Sequence, residues 1–325
     1  MNIGIIYNSF AHKRLLPEEK ELRDTGIAVG RHLVKLGHNV QFFDMDTPPD
    51  IEKLCRSEIE VAFDTSERIR GDSRGEGYTA ALLEFLGIPH SRTSAFYIAL
   101  GINKVRVKHI LDYHGITIPR FQVFSNDEER LRPDLKFPLF VKGVATENSI
   151  GIDEHSLVTN RQQLKDKVRQ INTELKQSAL VEEFIGGREF AIAILPGKVN
   201  RTMPILEIEY DALPLNRRYL DYDAKWITQS DRYQKTTPVH PENLTDKEFN
   251  HINETAMRCF TILGLDSYAR VDMRYNDHTL YVLEVNQNPS IGEDGSGFVH
   301  TALDFGLDYT AMINALLQNA ILGAI

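Results

Sequence analysis

The first apolar run, "NIGIIY" (Asn2–Tyr7), lacks polar alternation and fits a strand covered on both faces. From Glu18 to Leu36 the apolar positions recur at helical spacing, and Gly37 closes that run before "NVQFFD" (Asn39–Asp44) resumes an extended pattern. "EVAFDT" (Glu60–Thr65) predicts a third strand, and "YTAALLEFLGIP" (Tyr78–Pro89) a helix stopped by Gly87 and Pro89. Strand and helix in alternation make residues 1–95 a small α/β unit.

Beyond it, Ser94–Tyr113 reads as one helix. "PLFVKG" (Pro138–Gly143) and "ALVEEFI" (Ala179–Ile185) read as strands on either side of a polar loop and a helix, Asn160–Lys176. "EFAIAIL" (Glu189–Leu195) opens a region of longer strands, with "KVNRTMPILEIEY" (Lys198–Tyr210) read as one of them. Pro214–Thr237 is polar and irregular. A helix over Asp246–Leu263, a strand pair at Tyr268–Tyr275 and Thr279–Asn286, and a helix at Tyr309–Leu322 complete the pattern. No internal repeat or low-complexity segment interrupts it.

A chain of 325 residues outgrows one core and predicts two or three units. Its hydrophobic share of 42% and charged share of 26% are those of an ordinary globular enzyme. The net charge of -9 and the lack of a long basic run remove the electrostatic case for a nucleic-acid partner. Cys55 and Cys259 stand far apart without metal-type spacing, which fits reduced thiols in a reducing cytosol. The start "MNIGIIYNSF" is unlike a signal peptide and no stretch is apolar enough to span a bilayer, so a cytoplasmic protein without a membrane partner is expected.

Candidate chemistry gathers in "SYARVDMRYNDHTLYVLEVNQNP" (Ser267–Pro289), where Asn276-Asp277-His278 signals a hairpin turn. Alternate strand residues share a face, so Arg270 and Asp272 point together, as do Glu284 and Asn286. A turn centred near His278 sets Asp272 opposite Glu284 and Arg270 opposite Asn286, and a slip of one residue would part them. Two carboxylates and an amide oxygen are the hard donors that Mg²⁺ or Mn²⁺ accepts beside phosphate oxygens. The same residues also fit a salt-bridge ladder around Arg270. Calcium is a weaker match, because the ligands are few and no D-x-D loop accompanies them.

Other signals are modest when taken singly. Lys142 ends an apolar strand, where a snorkelling lysine is commonplace. "VATENSIGI" (Val144–Ile152) is a small polar loop, with Ser149 and Gly151, of a kind whose N–H groups can wrap phosphates. Lys104 and Lys225 each read alone as surface charges. Glu182 and Glu183 close a strand ahead of Gly186-Gly187 and Glu189.

In their order along the chain, "GIPHSRTSAFYIALGINKVRVKHIL", "FPLFVKGVATENSIGI", "ALVEEFIGGREFAIAIL", "YDAKW" and "ARVDMRYNDHTLYVLEVNQNPSI" resemble the ATP-grasp superfamily, and within it the D-alanine–D-alanine ligases and their relatives. The resemblance covers nearly the whole chain. It implies an α/β (α+β) ATP-grasp fold with an N-terminal domain at 1–95, a central lid domain at 96–185 and a C-terminal domain at 186–325 carrying the metal site. The activity implied is ATP-dependent joining of a small carboxylate to an amine through an acyl phosphate. Lys104 and Lys142 then hold the α- and β-phosphates of ATP, and the loop from Thr146, with Asn148, Ser149 and Gly151, covers the triphosphate. Glu182, Glu183, Phe184 and Ile185 match the segment that reads adenine, and Glu189 matches the carboxylate that takes the ribose hydroxyls. Asp272, Glu284 and Asn286 match the ligands of two Mg²⁺ (or Mn²⁺) ions, Lys225 reaches the γ-phosphate side, and Arg270, with Lys225 and Ser149, serves the reacting centre. A homodimer is common in the family.

The departures concern the substrate. "YNSFAHKRLLPEE" lacks the family's Ser-Glu-His motif after the first strand, the covering loop reads Thr146-Glu147-Asn148-Ser149 instead of Glu-Gly-Ser-Ser, and Lys225-Trp226 stands for a Lys-Tyr pair. The Glu–Ser–Tyr trio that closes the family's lid is therefore expected to be missing. Arg74 in "GDSRGEG", with Ser290, Glu293, Asp294 and Ser296 in "SIGEDGSGFVHTA", are candidate substrate contacts by position. These departures favour another carboxylate–amine pair, in specialised metabolism, over two D-alanines. D-alanine–D-alanine ligation itself, an ATP-binding protein without catalysis, and a bicarbonate-using carboxylase are the alternatives.

Overall fold

The computed structural model describes residues 1–10, 14–198, 200–210, 212–276, 279–293 and 295–323. Its strands form three sheets. The first is parallel, in the order β2(Asn39–Asp44)-β1(Asn2–Tyr7)-β3(Val61–Asp64). Along β1 the side chains alternate: Ile3 and Ile5 join a core with α1(Pro17–Lys35), while Ile6 packs on the other face with Phe43, Leu54 from α2(Pro48–Cys55) and Leu83 from α3(Glu76–Phe85). The core over Ile3 and Ile5 is completed from the far end of the chain, by Phe298 of α10(Gly297–Asp304) and by Met312, Leu316 and Leu317 of α11(Tyr309–Leu322).

The second sheet is antiparallel, β4(Phe121–Phe124)-β7(Ala179–Glu183)-β5(Leu139–Gly143)-β6(Leu157–Val158), with Leu164 and Val168 of α6(Arg161–Gln170) on its apolar face. The third runs β11(Thr236–Val239)-β10(Leu206–Tyr210)-β8(Arg188–Leu195)-β12(Ala269–Asn276)-β13(Thr279–Asn286), with β9(Arg201–Thr202) also paired to β8. Its core takes Ile252 and Phe260 from α9(Asp246–Ile262) and Val107 and Leu111 from an earlier helix. The helix α9 begins at a reciprocal cap in which Glu248 accepts from the Thr245 N–H at 2.9 Å and Thr245 accepts from the Glu248 N–H at 3.3 Å.

Three expectations change. Ser94–Tyr113 is two helices, α4(Ala95–Ile102) and α5(Lys104–Tyr113), parted at Asn103. Asn103 caps α5 by accepting from the Arg106 N–H, and the break lets the Lys104 N–H reach the Val144 carbonyl at 3.1 Å. Lys198–Tyr210 is likewise split into β9 and β10, because Pro204 between them has no N–H to give a ladder. The polar stretch Pro214–Thr237 is ordered, holding α7(Tyr222–Trp226), α8(Asp231–Gln234) and the start of β11.

The β12–β13 hairpin has the expected register, Asp272 facing Glu284 and Arg270 facing Asn286, with an irregularity between Asp272 and Met273. Asp277 and His278 of its turn lie outside the described residues. Among those described, no helix is long and apolar enough to cross a membrane.

Candidate active site

A cleft of about 910 Å³ opens between the second and third sheets and ends against the first unit. At one end its walls are apolar and aromatic: Phe140 and Tyr219 meet edge-on with centroids 5.0 Å apart, Phe184 lies 6.4 Å from each, and Ile185 and Leu283 also line the space. The middle is lined by charge. Lys142, ending β5, is paired to Glu182 at 2.9 Å and lies 3.8 Å from Glu284, while Lys104, at the start of α5, donates to Glu284 at 2.7 Å. Breaking the helix at Asn103 is what aims Lys104 here, so both lysines come from element ends and both are buried.

The carboxylates respond to these cations. The apolar surroundings raise Glu284, but Lys104, Lys142 and Arg270 outweigh them and bring it down to about 2. Burial likewise pushes Glu182 up, and Lys108 with Lys142 holds it below the usual carboxylate range. Lys108 is absent from the sequence reading, although its position one helical turn after Lys104 was the available signal.

On the hairpin, Arg270 makes a two-pronged pair with Asp272 at 2.7 and 2.8 Å, and the Asn286 side-chain oxygen accepts from the Asn288 N–H at 2.9 Å. Asp272, Glu284 and Asn286 all face the cleft. Among the described residues no group of three or more His, Cys, Asp or Glu comes together to hold a metal unaided. Two carboxylates and an amide oxygen nonetheless fit Mg²⁺, which keeps waters and takes phosphate oxygens for the rest of its shell.

The remaining expected residues divide. Lys225 lines the cleft beside Arg270; burial first, then Arg270, pulls its ammonium below the ordinary range. Glu189 also lines it, but accepts from Tyr210 at 2.6 Å and from Arg274 at 2.5 Å, two partners the sequence reading missed. Glu183 pairs with Arg120. Ser149 donates to the Leu220 carbonyl at 3.2 Å, and Gly151, at φ +78°, helps turn the loop. Ser290 and Ser296 line the cleft, with Ser290 against Glu21 of α1. Arg74 does not reach it: the guanidinium is exposed and pairs with Asp72 at 2.7 Å. Glu293 also turns away, to Arg31 and to His32 at 2.9 Å, two side chains of α1 that hold it outside the cleft. Asp294 lies outside the described residues.

A small sheet, a cleft-covering sheet and a larger sheet bearing a carboxylate–arginine hairpin define an ATP-grasp ligase, the class that spends ATP with Mg²⁺ to join a carboxylate to an amine. The model of the family "D-ala D-ala ligase C-terminus" matches residues 110–318, and the chain belongs to that family of ADP-forming, C–N bond-making ligases. It is 29% identical to the D-alanine--D-alanine ligase of Carboxydothermus hydrogenoformans, over 98% of this chain and 97% of that one. It is 32% identical to an uncharacterized protein of Sinorhizobium fredii, over 84% of this chain and 77% of the other. The crystal structure of the Bacillus anthracis D-alanine--D-alanine ligase superposes with a TM-score of 0.81 at 25% identity, covering 100% of this chain and 98% of that one.

Proposed function

We propose that the cleft joins an amino-acid-like carboxylate to an amine other than a second D-alanine, in the cytoplasm. The convergence of Lys104, Lys142, Lys225 and Arg270 on the hairpin carboxylates Asp272 and Glu284 supports the ATP-dependent joining most directly, and the departures at Thr146–Ser149 and Trp226 favour a pair other than two D-alanines. In this reading the aromatic end takes adenine along Glu182–Ile185, and Glu189 receives the ribose. Lys104 and Lys142 hold the α- and β-phosphates under the Thr146–Gly151 loop. The units 1–95, 96–185 and 186–325 close on one another around the nucleotide. Asp272, Glu284 and Asn286 would hold Mg²⁺, which would supply neutralising charge to the triphosphate.

The substrate carboxylate oxygen attacks the γ-phosphorus, the bond to the β-phosphate oxygen breaks, and ADP leaves an acyl phosphate behind. Lys225 orients the transferring group and Ser149 belongs to the loop that keeps water out. The amine nitrogen then attacks the acyl carbon, Arg270 stabilises the tetrahedral oxyanion, and phosphate leaves as the nitrogen gives up a proton. Glu21, beside Ser290 at the far end, is the anionic group suited to a substrate ammonium.

The second reading, D-alanine–D-alanine ligation, is favoured by 29% identity along nearly the whole length of an enzyme of that name. The deciding measurement is ADP release with ATP and Mg²⁺ against pools of amino acids and small carboxylates, with D-alanine alone in its own well. Turnover only in mixed pools supports the first reading, turnover with D-alanine alone supports the second, and silence throughout defeats both. A homodimer in solution is part of the proposal, read by light scattering.

A further inference from the structure

The loop over the cleft is held shut by contacts that none of the expected lid residues explains. Asn148 sits at φ +56° and Ser149 at φ +58°, two successive left-handed residues. Asn tolerates that region better than other side-chain-bearing residues, and glycine would adopt it more cheaply still. Asn148 therefore has a use beyond its backbone, and its amide supplies one. Its NH₂ donates to Glu67 at 2.8 Å, its side-chain oxygen accepts from Lys225 at 2.9 Å, and its main-chain carbonyl accepts from the Trp226 indole N–H at 2.9 Å. An ammonium only donates, so Lys225 fixes which end of the amide faces which partner. Glu67 is fixed in turn, buried just past β3 with its own N–H given to Asn8 at 3.0 Å.

The three partners come from different parts of the fold: Glu67 from the N-terminal unit, Asn148 from the second sheet's loop, Lys225 and Trp226 from α7. Around this point the two loop segments are joined along their length. The Tyr222 N–H reaches the Ile152 carbonyl at 3.0 Å and the Tyr219 hydroxyl reaches the Asp153 carbonyl at 3.1 Å. A second anchor to the N-terminal unit lies beside it, where the Tyr222 hydroxyl donates to Glu18 at 2.6 Å. The 146–153 and 219–226 segments thus form one composite lid that docks on buried glutamates.

We infer that Asn148 is a positioning residue that makes lid closure and placement of Lys225 a single event, its amide bridging Glu67 to the lysine. The inference rests on the ligase reading for what Lys225 does, but not for whether the latch forms. It replaces the expected absence of a closing trio with a different one, Glu67–Asn148–Lys225, backed by Trp226.

Trp226 is the chain's single tryptophan, so tryptophan fluorescence comes from this site alone. In the full chain with the β,γ-imido analogue of ATP and Mg²⁺ bound, Trp226 should be protected from acrylamide quenching relative to the urea-unfolded chain. Asn148→Ala and Glu67→Ala should abolish that protection, while Glu67→Gln, which keeps an acceptor oxygen, should retain it. In turnover, N148A should lower kcat about 10–100-fold with the KM for ATP within about threefold. Protection that survives in both alanine variants, or a wild type without any, overturns the latch whatever the substrate proves to be. A wild type that shows the protection yet forms no ADP with any substrate pool overturns the ligase reading and leaves the latch standing. Because E67Q is nearly isosteric, its contrast with E67A decides the matter even if N148A fails to fold.

Discussion

At the scale of single residues the cleft is a set of charges held against their preferences. Arg270 lies among Asp272, Glu284 and the lysines, and the role proposed for it at the oxyanion would separate it from groups that only bind nucleotide. Arg270→Ala should keep ATP affinity within about tenfold while turnover drops by about 10²–10³. Nucleotide titration beside steady-state ADP release checks this, and equal loss of both would remove the assigned role. Glu284 gives a pH signature. Its carboxyl falls from an ordinary 4.5 to about 2 in the fold, so its pairing stabilises the protein fully above about 4.5 and that stabilisation is lost as the pH falls toward about 2. The difference in unfolding free energy between wild type and Glu284→Gln, measured by urea titration without nucleotide, should be largest at neutral pH and close on acidification. A difference independent of pH would mean that the pairing is not what stabilises the native state.

At the scale of elements, Gly187 is the tightest joint. It enters β8 at φ +94°, and a Cβ there would stand 2.1 Å from the Tyr275 carbonyl oxygen. Gly187→Ala should cost roughly 1–3 kcal/mol through strain at that backbone conformation, more if β12 is forced aside, seen as a lower urea midpoint. Gly186, one residue earlier, meets nothing and should tolerate alanine. The period-2 pattern of β12 and β13 made the hairpin register legible, since only one register puts Asp272 against Glu284 with the apolar residues inward. What escaped the sequence is short or depends on a partner elsewhere. No element is expected at residues 297–304, yet they form α10 because Phe298, Val299 and Ala302 bury against the first sheet. The segment Tyr222–Trp226 is too short for helical periodicity and is fixed by Asp221 capping the Ala224 N–H at 2.8 Å and by Asn148 across the cleft. Lys104 and Lys142 were visible as candidates, but their convergence on Glu284 depends on the Asn103 break, which no local pattern announced.

For the whole molecule, the consequence is that the cleft has no single owner. Val107 and Leu111 of the 96–185 segment complete the third sheet's core, Met312 and Leu317 complete the first sheet's, and the lid docks on Glu18 and Glu67. Ligand bound across such a cleft must stabilise all three sheets against unfolding together, because binding to the native state alone adds RT ln(1 + [L]/Kd). At a nucleotide concentration 100 times its Kd the gain is about 2.7 kcal/mol, a rise of a few degrees in Tm for a chain of this size. ATP with Mg²⁺ should therefore raise a single cooperative transition, while ATP with EDTA should do so much less, since Asp272 and Glu284 then face the triphosphate with no metal ion to offset their charge. Lys142→Met should lose most of the shift under either condition, because it leaves Glu182 short of one of its two buried partners and the phosphates short of a cation. Differential scanning calorimetry separates the possibilities. One transition moving as a unit is expected, whereas a split transition with only its upper part moving would mean that the second and third sheets close on nucleotide without the first.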